Sequence, residues 1–499
     1  MELTFSKTAV PCLRKAVCQI QTQEQTQEVR LPESMPDIGR VLGSWGQVLI
    51  RSKEWRGSAM AVSGGVMTWV LYVPEDGSMP KSMEAWIPFQ MRWEFPQTDR
   101  DCVMNIVPLL RSVDARSISA RKLMVRANIS VLGEAFEPTE PEVWMPENVP
   151  EDLQILKATY PMELSKEAGE KQFQLDEELT LPGTYPQVEK ILRYALQPKI
   201  LEQKVMAGRL VFRGKSDLHM LYAGSDGAIC SWDCEVPFSQ YAELDRDYGP
   251  NSSVMITPML TNLEFMIDEQ QRLQLKCGMC AQYVVCDREM VEVAEDAYSP
   301  VRQVKLEKQP LKMPMRLERK TDLIDTQQQL TAPVARVVDV CWLADHPQHR
   351  QNADVAVLTM PGQFQVLYYD AAGNLQSGTV RAEEAWQIPS DPQNKVDACV
   401  QMNGWPMAEV NEQGVVLTTR WDVAADVFSE QGLPMLTQIT LGEKCEKDPN
   451  RPSLILRRVG GQRLWDIARE CGSTVDAILQ ANNLETEPEP GKILLIPVS

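Results

Sequence analysis

Cysteine and histidine are the residues with which this chain could hold a metal or act as a nucleophile. The sequence has 12 cysteines and three histidines. Cys277 and Cys280 form a C-x-x-C pair, but they lie in a stretch of alternating apolar residues, which places them on opposite faces of a predicted strand. Cys230 and Cys234 are spaced one residue further apart, so no second C-x-x-C completes a set of four ligands. We therefore expect buried free thiols in a reducing compartment and no bound metal.

The histidines are not spaced for catalysis. His219 lies on a predicted strand face opposite Leu218 and Met220, whereas His346 and His349 lie in a polar loop. The sequence has no P-loop, no dinucleotide-binding glycine motif, no H-E-x-x-H and no G-x-S-x-G. We therefore expect a protein that is not an enzyme and that uses no cofactor.

The acidic composition limits the partners of the chain. Its 499 residues have a formal net charge of −19 and a pI near 4.8. Nucleic acid and anionic lipid are repelled by such a charge, so neither is expected as a partner. The first residues lack an apolar signal core, and the longest apolar run, residues 66–74, is far too short to span a membrane. We expect the protein to remain in the compartment where it is made.

An internal repeat indicates which elements position these residues. Residues 31–42 match residues 181–192, and residues 71–77 match residues 221–227, both at an offset of 150 residues. Pro36, in the first of these segments, is suited to the first turn of a helix. We therefore expect a short helix there.

The second pair of matches predicts a β-hairpin at the same place in every copy. Residues 66–72 alternate before an Asp-Gly turn, a pattern typical of a strand that ends in a tight turn. A fainter third copy has residues 367–373 in this place. Several hairpins within roughly 145 residues favour a sandwich- or barrel-like unit. Each returning strand contains a proline that marks a strand end or edge, at Pro88, Pro237 and Pro389.

These patterns predict a mainly β chain with three tandem β-rich, sandwich- or barrel-like domains and a small C-terminal module. The predicted domains cover residues 1–155, 156–298 and 299–446, and the module covers residues 453–499. Each domain is expected to have its own core, like a bead. Charged, proline-containing linkers are expected between them, at residues 137–151, 292–315 and 443–452.

The C-terminal module has the local chemistry of strand, helix, helix and strand. Residues 464–468 have apolar side chains at helical spacing. Gly472 is expected to end this first helix. Ser473 or Thr474 is expected to cap the second helix, with Asp476 as the capping-box partner of Ser473.

This order of a glycine turn, Leu-Trp-Asp-Ile-Ala, a Ser-Thr cap, paired asparagines and a closing Leu-x-Ile-Pro strand resembles the LysM family. The resemblance implies a βααβ fold whose ligand groove lies between the loop after the first strand and the loop after the second helix. The candidate partner- or glycan-binding residues are therefore Gly460, Gly461, Gln462, Arg463 and Leu464 in the first loop, and Asn482, Asn483, Leu484 and Glu485 in the second.

The first loop departs from the family pattern. Gln462 and Arg463 stand where the family usually has an acidic residue and the small hydroxyl that bonds an N-acetyl sugar. A bulky cation is better suited to an acidic protein surface than to a glycan. The side chains of Leu464, Trp465 and Ile467 are expected to be core, because apolar residues at helical spacing usually pack inward.

The Leu-Pro-x-x-x-Pro-Asp-Ile segment from Leu31, the hairpin at residues 71–77 and the Ile-Pro-Phe strand at residues 87–89 together resemble the SPOCS domain of spore coat and sporulation proteins. SPOCS copies followed by a LysM resemble spore morphogenesis and coat assembly proteins of endospore-forming bacteria. The resemblance implies a non-catalytic scaffold in the mother-cell cytoplasm, at the forespore surface. It also implies that the LysM region binds the coat morphogenetic ATPase, stage IV sporulation protein A, with other coat proteins as further partners.

Two other functions are open. The chain could bind peptidoglycan or another N-acetyl glycan of the cell wall or spore cortex, although Gln462, Arg463 and the missing export signal disfavour this. A wall hydrolase with a LysM anchor is the least favoured function, because no catalytic motif is found.

Overall fold

A computed structural model of the chain describes residues 1–95, 102–249, 252–268, 270, 272–429, 432–445 and 452–498. Nearly all regular structure in these ranges is antiparallel β-strand, and the helices found there both lie in the C-terminal module. The prediction of a mainly β chain that ends in a βααβ module is confirmed. Alternating apolar and polar side chains produce this outcome, because they bury one face of each strand.

The first strands are β1 (Phe5–Ala9), β2 (Cys12–Arg30), β3 (Ile38–Arg56), β4 (Ala59–Pro74), β5 (Lys81–Glu94), β6 (Val103–Ser119), β7 (Lys122–Thr139) and β8 (Glu142–Pro146). They are followed by β9 (Gln154–Leu179), β10 (Val188–Met206), β11 (Arg209–Gly224), β12 (Ile229–Glu243), β13 (Ser253–Ile267) and β14 (Leu273–Tyr298). Next come β15 (Arg302–Leu311), β16 (Met315–Leu330), β17 (Val334–Ala344), β18 (Gln348–Asn352), β19 (Val355–Asp370), β20 (Leu375–Pro389), β21 (Asn394–Met402), β22 (Met407–Asn411), β23 (Gly414–Ser429) and β24 (Leu433–Lys444). The module contains β25 (Leu454–Arg458), α1 (Leu464–Cys471), α2 (Val475–Ala481) and β26 (Ile493–Pro497).

Each repeat is a sandwich of two antiparallel layers, and one layer of the first repeat is continuous with one of the second, because pairing of β2 with β9 joins them into a six-stranded sheet. In the first repeat, the sheet β3-β4-β5 packs on β2, β7 and β6. In the second, β10-β11-β12 packs on β9, β14 and β13, and in the third, β17, β19 and β20 face β16, β23 and β21. The predicted hairpins are confirmed, because each turns at a glycine with positive φ, namely Gly77, Gly227 and Gly373.

The short helix expected near Pro36 is wrong. β3 begins at Ile38 and runs in register with β4 from the pair Ile38 and Pro74. The backbone N–H of Ile38 donates to the carbonyl of Ala120 at 2.8 Å. The backbone N–H and C=O groups of this segment therefore bond to residues distant in sequence, and they are not available for the hydrogen bonds of a local helix.

The equivalent prolines of the three returning strands lie either inside an edge strand or at the end of a strand. Pro88 lies inside β5 and Pro237 inside β12, both of which are edge strands of their three-stranded sheets. Pro389 is the last residue of β20. Each proline therefore stands at a strand edge or end, where its missing N–H costs no ladder hydrogen bond.

Two of the segments expected as linkers are strands. Residues 137–151 contain β8, and residues 292–315 contain the end of β14 and the whole of β15. In the third expected linker, residues 443–452, positions 446–451 lie outside the described residues. Among the charged side chains that indicated linkers, Glu292 and Glu307 are exposed on these strands, whereas Glu137 and Asp296 are buried.

The three repeats meet at a common centre. A β-bulge occurs at the same place in the leading strand of each repeat, at Leu42, Leu192 and Val338. A bulge bends its strand and re-aims the local side chains. These three residues are buried in one core cluster, which also contains the equivalent hairpin residues Leu71, Leu221 and Leu367. Each repeat therefore has its own core, as expected, but the repeats are not separate beads, because the first core continues into this shared centre.

A second assembly of strands carries the C-terminal module. β9 and β14 are 26 residues long, so their ends extend past the second sandwich. There they pack with the pairs β1-β8 and β15-β24, and bury residues such as Met162, Val293 and Met435. We call β1, β8, β15, β24 and the outer ends of β9 and β14 the strand platform.

Candidate binding site on the C-terminal module

The module is held together by short-range features that the sequence predicts. β25 pairs with β26, and α1 ends before Gly472, which has a left-handed φ of 64°. The side chain of Thr474 accepts a hydrogen bond from the N–H of Ala477 at 3.1 Å, so Thr474 is the cap of α2. The capping box expected between Ser473 and Asp476 is wrong, because Ser473 is buried before the cap.

The first predicted loop, between β25 and α1, ties one of its polar side chains into the module. Gly461 has a φ of 90°, which side-chain-bearing residues rarely adopt, and Gly460 beside it is exposed. The amide oxygen of Gln462 accepts a hydrogen bond from Nη2 of Arg457 at 2.7 Å. Arg457 also pairs with Glu470 at 2.6 Å. Gln462 therefore belongs to a network within the module.

Arg463 is the charged side chain of this loop. It is 60% exposed and has an ion pair with Asp466 at 3.3 Å. Leu464, Trp465 and Ile467 are buried in the module core, as predicted. The loop therefore presents a cation and no small hydroxyl.

The second predicted loop, after α2, has a structural part and an exposed part. The side chain of Asn482 donates to the carbonyl of Leu495 at 2.7 Å and accepts from its N–H at 2.8 Å, which joins the end of α2 to β26. Asn483 has a φ of 49° and ends the helix. Asn483 and Glu485 are exposed, Leu484 is half-buried, and all three line an open cleft beside α2.

A carboxylate outside the predicted set joins the two loops. The two oxygens of Glu487 lie 3.0 and 3.1 Å from the backbone nitrogen of Leu464, which donates to them. Leu464 is the first residue of α1, and a carboxylate is stabilised at a helix N-terminus. An acidic side chain of the module therefore occupies this point of the groove. The LysM resemblance places the second loop at residues 482–487 and so includes Glu487, but nothing in the sequence singles it out among the several glutamates of the segment.

The module docks on the end of β14. The carboxylate of Asp296 accepts hydrogen bonds from Nε1 of Trp465 at 3.1 Å and from Nη1 of Arg469 at 2.7 Å. The ring of Tyr298 packs edge-on against Trp465, with 4.7 Å between ring centroids, and its hydroxyl donates to the carbonyl of Ser473 at 3.0 Å. Tyr298 lies in the same apolar cluster as the module core, so the module is part of the packed body.

The docking carboxylate is charged at neutral pH. Burial opposes ionisation of Asp296, but hydrogen bonds from Trp465 and Lys308 outweigh it and lower the pKa of this carboxyl. Burial also raises the pKa of Tyr298 to about 12, so its hydroxyl remains a donor. Hydrogen bonds to a charged acceptor are stronger than neutral ones, which favours the docked arrangement.

A buried charge cluster that sequence reasoning missed lies at the centre of the three repeats. Arg193 donates through Nε and Nη2 to the two oxygens of Asp339, at 2.8 Å each. Nε2 of His219 is 3.0 Å from Asp339, and its Nδ1 is 2.6 Å from Asp233. The guanidinium of Arg193 also lies over the ring of Trp45, 5.1 Å from its centroid. This cluster joins all three repeats.

Arg193 and Asp339 of this cluster occupy equivalent positions in their repeats. Gly43, Arg193 and Asp339 each follow the bulge residue of their own repeat. Burial opposes the charge of Asp339, but attraction to Arg193 and His219 outweighs it and holds the pKa of this carboxyl well below its usual range. Burial likewise opposes the charge of His219, but attraction to Asp339 raises its pKa. Asp233 is 59% exposed, but the side chains of Arg193, His219 and Asp339 are closed to solvent, so these three hold the repeats together.

The cysteines and histidines singled out by type are structural. Cys277 and Cys280 are buried free thiols in different core clusters, as predicted. Burial raises the pKa of Cys277 to about 11 and that of Cys280 to about 12. The polar environment expected for His346 is wrong, since its side chain is buried and Nε2 accepts the N–H of Leu132 at 3.0 Å. No group of three His, Cys, Asp or Glu residues in the described ranges is placed to hold a metal.

The fold and this site define a class of protein in which packed β-sandwich repeats carry a docked βααβ binding module. Family models identify both parts: residues 187–268 match the model described as SipL, SPOCS domain, and residues 461–497 match the LysM domain. The chain therefore contains a SPOCS domain and a LysM domain, as the resemblance predicted. Searches of curated proteins and of solved structures returned no match.

These two domains fit a sporulation protein with a peptidoglycan-binding type of module. Both matched families are non-catalytic binding or scaffold domains. Among the described residues, no helix combines the length and the apolarity needed to cross a membrane.

Proposed function

We propose that the protein is a non-enzymatic scaffold of spore coat assembly that works in the mother-cell cytoplasm at the forespore surface. Its LysM module binds the coat morphogenetic ATPase, stage IV sporulation protein A, and its SPOCS body binds other coat proteins. The match to a SPOCS domain and a LysM domain in one chain supports this proposal. We also propose that SPOCS-like domains extend to residues 1–155 and 299–446, because equivalent sandwiches occur on both sides of the matched range.

The chemistry of the groove loops is the observation that carries the proposal. The first loop presents the 60% exposed cation of Arg463, and the N–H of Leu464 is already bonded to Glu487. A sugar N-acetyl group would find no small hydroxyl in the first loop, and the N–H of Leu464 would not be free to bond it. An acidic protein surface, in contrast, would gain charge-assisted hydrogen bonds with Arg463.

Docking on the strand platform gives the scaffold a fixed geometry. Asp296 and Tyr298 hold the module through Trp465, Arg469 and Ser473. A partner bound to the loops therefore has a set orientation relative to the SPOCS body, as a scaffold requires.

Substitutions in the full-length chain test this proposal better than deletion of the module. Deletion of residues 453–499 would uncover Tyr298 and remove two hydrogen-bond donors from Asp296, so it would disturb the body as well. We expect Arg463→Glu to weaken binding of the purified morphogenetic ATPase by about tenfold or more, a change that corresponds to about 1.4 kcal/mol. The measurement is a titration of the ATPase by biolayer interferometry.

The matched control is Arg213→Glu, which makes the same charge change at an exposed residue of β11 far along the chain. It should leave binding unchanged. Equal binding by the Arg463→Glu variant and by the wild type would remove the first loop from the contact. A wild-type chain that does not bind the ATPase at all would contradict the proposed partner.

The LysM match keeps glycan binding as the competing function. Substitution of Glu487 by Ala frees the N–H of Leu464 and opens the groove between the loops. Under our proposal neither the wild type nor this variant sediments with purified peptidoglycan. Sedimentation of the wild type would favour the glycan function.

A further inference from the structure

The outer face of the β25-β26 sheet is apolar and uncovered. Leu454 is 52% exposed, Leu456 is 72% exposed and Ile493 is 58% exposed, although all belong to a folded module. Leu456 lies opposite Leu495, and Leu454 lies opposite Pro497, so these side chains share one face of the sheet. We call this surface the outer sheet face.

This face points away from the rest of the molecule. The alternate residues Leu494 and Ile496 are fully buried against the helices of the module. α1, on that inner side, contacts the strand platform through Trp465 and Arg469. The outer sheet face is therefore accessible in the whole chain and is separate from the groove loops.

The charge on this face is opposite in sign to that of the protein. Arg458 lies opposite Ile493 on the outer sheet face, whereas Arg457 alternates onto the inner face and pairs there with Glu470. β25 and β26 contain no carboxylate, although the whole chain has a net charge of −19. Arg458 has no ion pair with any residue that the structure describes. An occupant with carboxylates beside an apolar surface would complement this face.

The dimensions and charge of the outer sheet face distinguish between a second copy of the chain, a lipid bilayer and a partner helix as its occupant. Two strands of five residues extend about 17 Å by about 10 Å, which is far smaller than the roughly 800 Å² per partner that a stable dimer buries. A second copy of the chain is therefore not held by this face. An anionic bilayer would meet the repulsion of the acidic body. An α-helix, about 10 Å across, matches the width of the sheet.

We propose that the outer sheet face docks an amphipathic helix of a partner protein whose apolar stripe is flanked by Asp or Glu. The apolar stripe covers Leu454, Leu456 and Ile493, and a carboxylate beside it pairs with Arg458. This site is distinct from the groove loops of the proposed function. It gives the module two faces on which partners can bind.

A synthetic 18-residue helix with a leucine stripe flanked by glutamates is the probe, and the same peptide with lysines in place of the glutamates is its comparison. Fluorescence anisotropy with the full-length chain measures both affinities. We expect the glutamate peptide to bind about tenfold tighter than the lysine peptide, and Leu456→Glu to weaken its binding by about tenfold. The matched control Leu201→Glu, at another exposed leucine (56% exposed) in β10, should leave the affinity unchanged.

Three results would overturn the inference. The first is that Leu456→Glu binds the glutamate peptide as tightly as the wild type, or that both peptides bind equally. The second is that Arg463→Glu weakens peptide binding as much as Leu456→Glu, which would place the peptide on the groove loops. The third is that phosphatidylglycerol vesicles bind through Leu456 whereas the glutamate peptide does not, which would make the face a lipid contact. The ATPase is absent from this assay, so its outcome is independent of the proposed function.

Discussion

The buried pair of Arg193 and Asp339 should tolerate replacement of both members far better than loss of one. The two side chains are 2% and 1% exposed and share two hydrogen bonds of 2.8 Å. Asp339→Leu leaves a guanidinium that cannot lose its proton in an apolar centre. We expect this variant to lower the free energy of unfolding by about 3–5 kcal/mol. Arg193→Met should cost less, because His219 remains as a partner of Asp339.

The double variant Arg193→Met/Asp339→Leu removes both charges and keeps apolar volume. Its free energy of unfolding should lie within about 1 kcal/mol of the wild type, because a well-packed apolar replacement of a buried pair is often neutral or stabilising. Urea denaturation with linear extrapolation measures all four members of this double-mutant cycle. The difference between the sum of the single effects and the double effect gives the coupling energy.

The exposed pair of Arg420 and Asp325 provides a control with the same two-bond geometry. Its hydrogen bonds are 2.7 and 2.9 Å long, but its side chains are 46% and 48% exposed. Asp325→Leu should cost less than about 1 kcal/mol, because solvent screens a surface pair. If Asp339→Leu costs no more than Asp325→Leu, or if the double variant costs the sum of the singles, the central packing of the repeats is not as described.

Three further predictions concern other parts of the chain. Burial lowers the pKa of His346 to about 4, so as the pH falls the unfolded chain binds the proton before the folded chain does. As the pH falls from 6.5 to 4, the free energy of unfolding should therefore drop by ~3 kcal/mol. A pH series of urea denaturations should show this loss in the wild type but not in His346→Gln. Asp296→Ala removes the acceptor of Trp465 and should make the module unfold before the body, visible as a separate transition in calorimetry, whereas an unchanged single transition would contradict the docking contact. Thr474→Ala removes the cap that bonds Ala477 and should cost about 1 kcal/mol in urea denaturation, and Thr474→Ser should retain most of it.

Most of the candidate site could be predicted because its frame is local. A helix stop at Gly472, a cap at Thr474 and helical spacing from Leu464 involve neighbours only a few positions apart. The same reasoning left the cap open between Ser473 and Thr474, which are equally suited to capping by type, and the capping box expected from Ser473 does not form because Thr474 is the cap. Glu487 was missed because its partner Leu464 is separated from it by two helices and a loop.

The side-chain bonds of the first loop could not be predicted, because they also depend on tertiary structure. The sequence identifies Gln462 and Arg463 as the departure from the LysM pattern. It cannot tell that Gln462 bonds Arg457 of β25 whereas Arg463 pairs with Asp466 of α1. That division depends on where β25 places its side chains relative to the loop.

The sequence by itself determined the repeats, their hairpins and the βααβ module, because alternation, turn glycines and caps act within a few residues of chain. Only the tertiary structure decided that the repeats share a centre and that the module is docked on the platform. Gly43, Arg193 and Asp339 occupy equivalent places in three repeats, and no local pattern shows that Arg193 and Asp339 meet there. Likewise Asp296 and Trp465 come together across 169 positions of sequence. Such contacts follow from how complete sheets pack, and a buried charge is stable only where that packing supplies its partner.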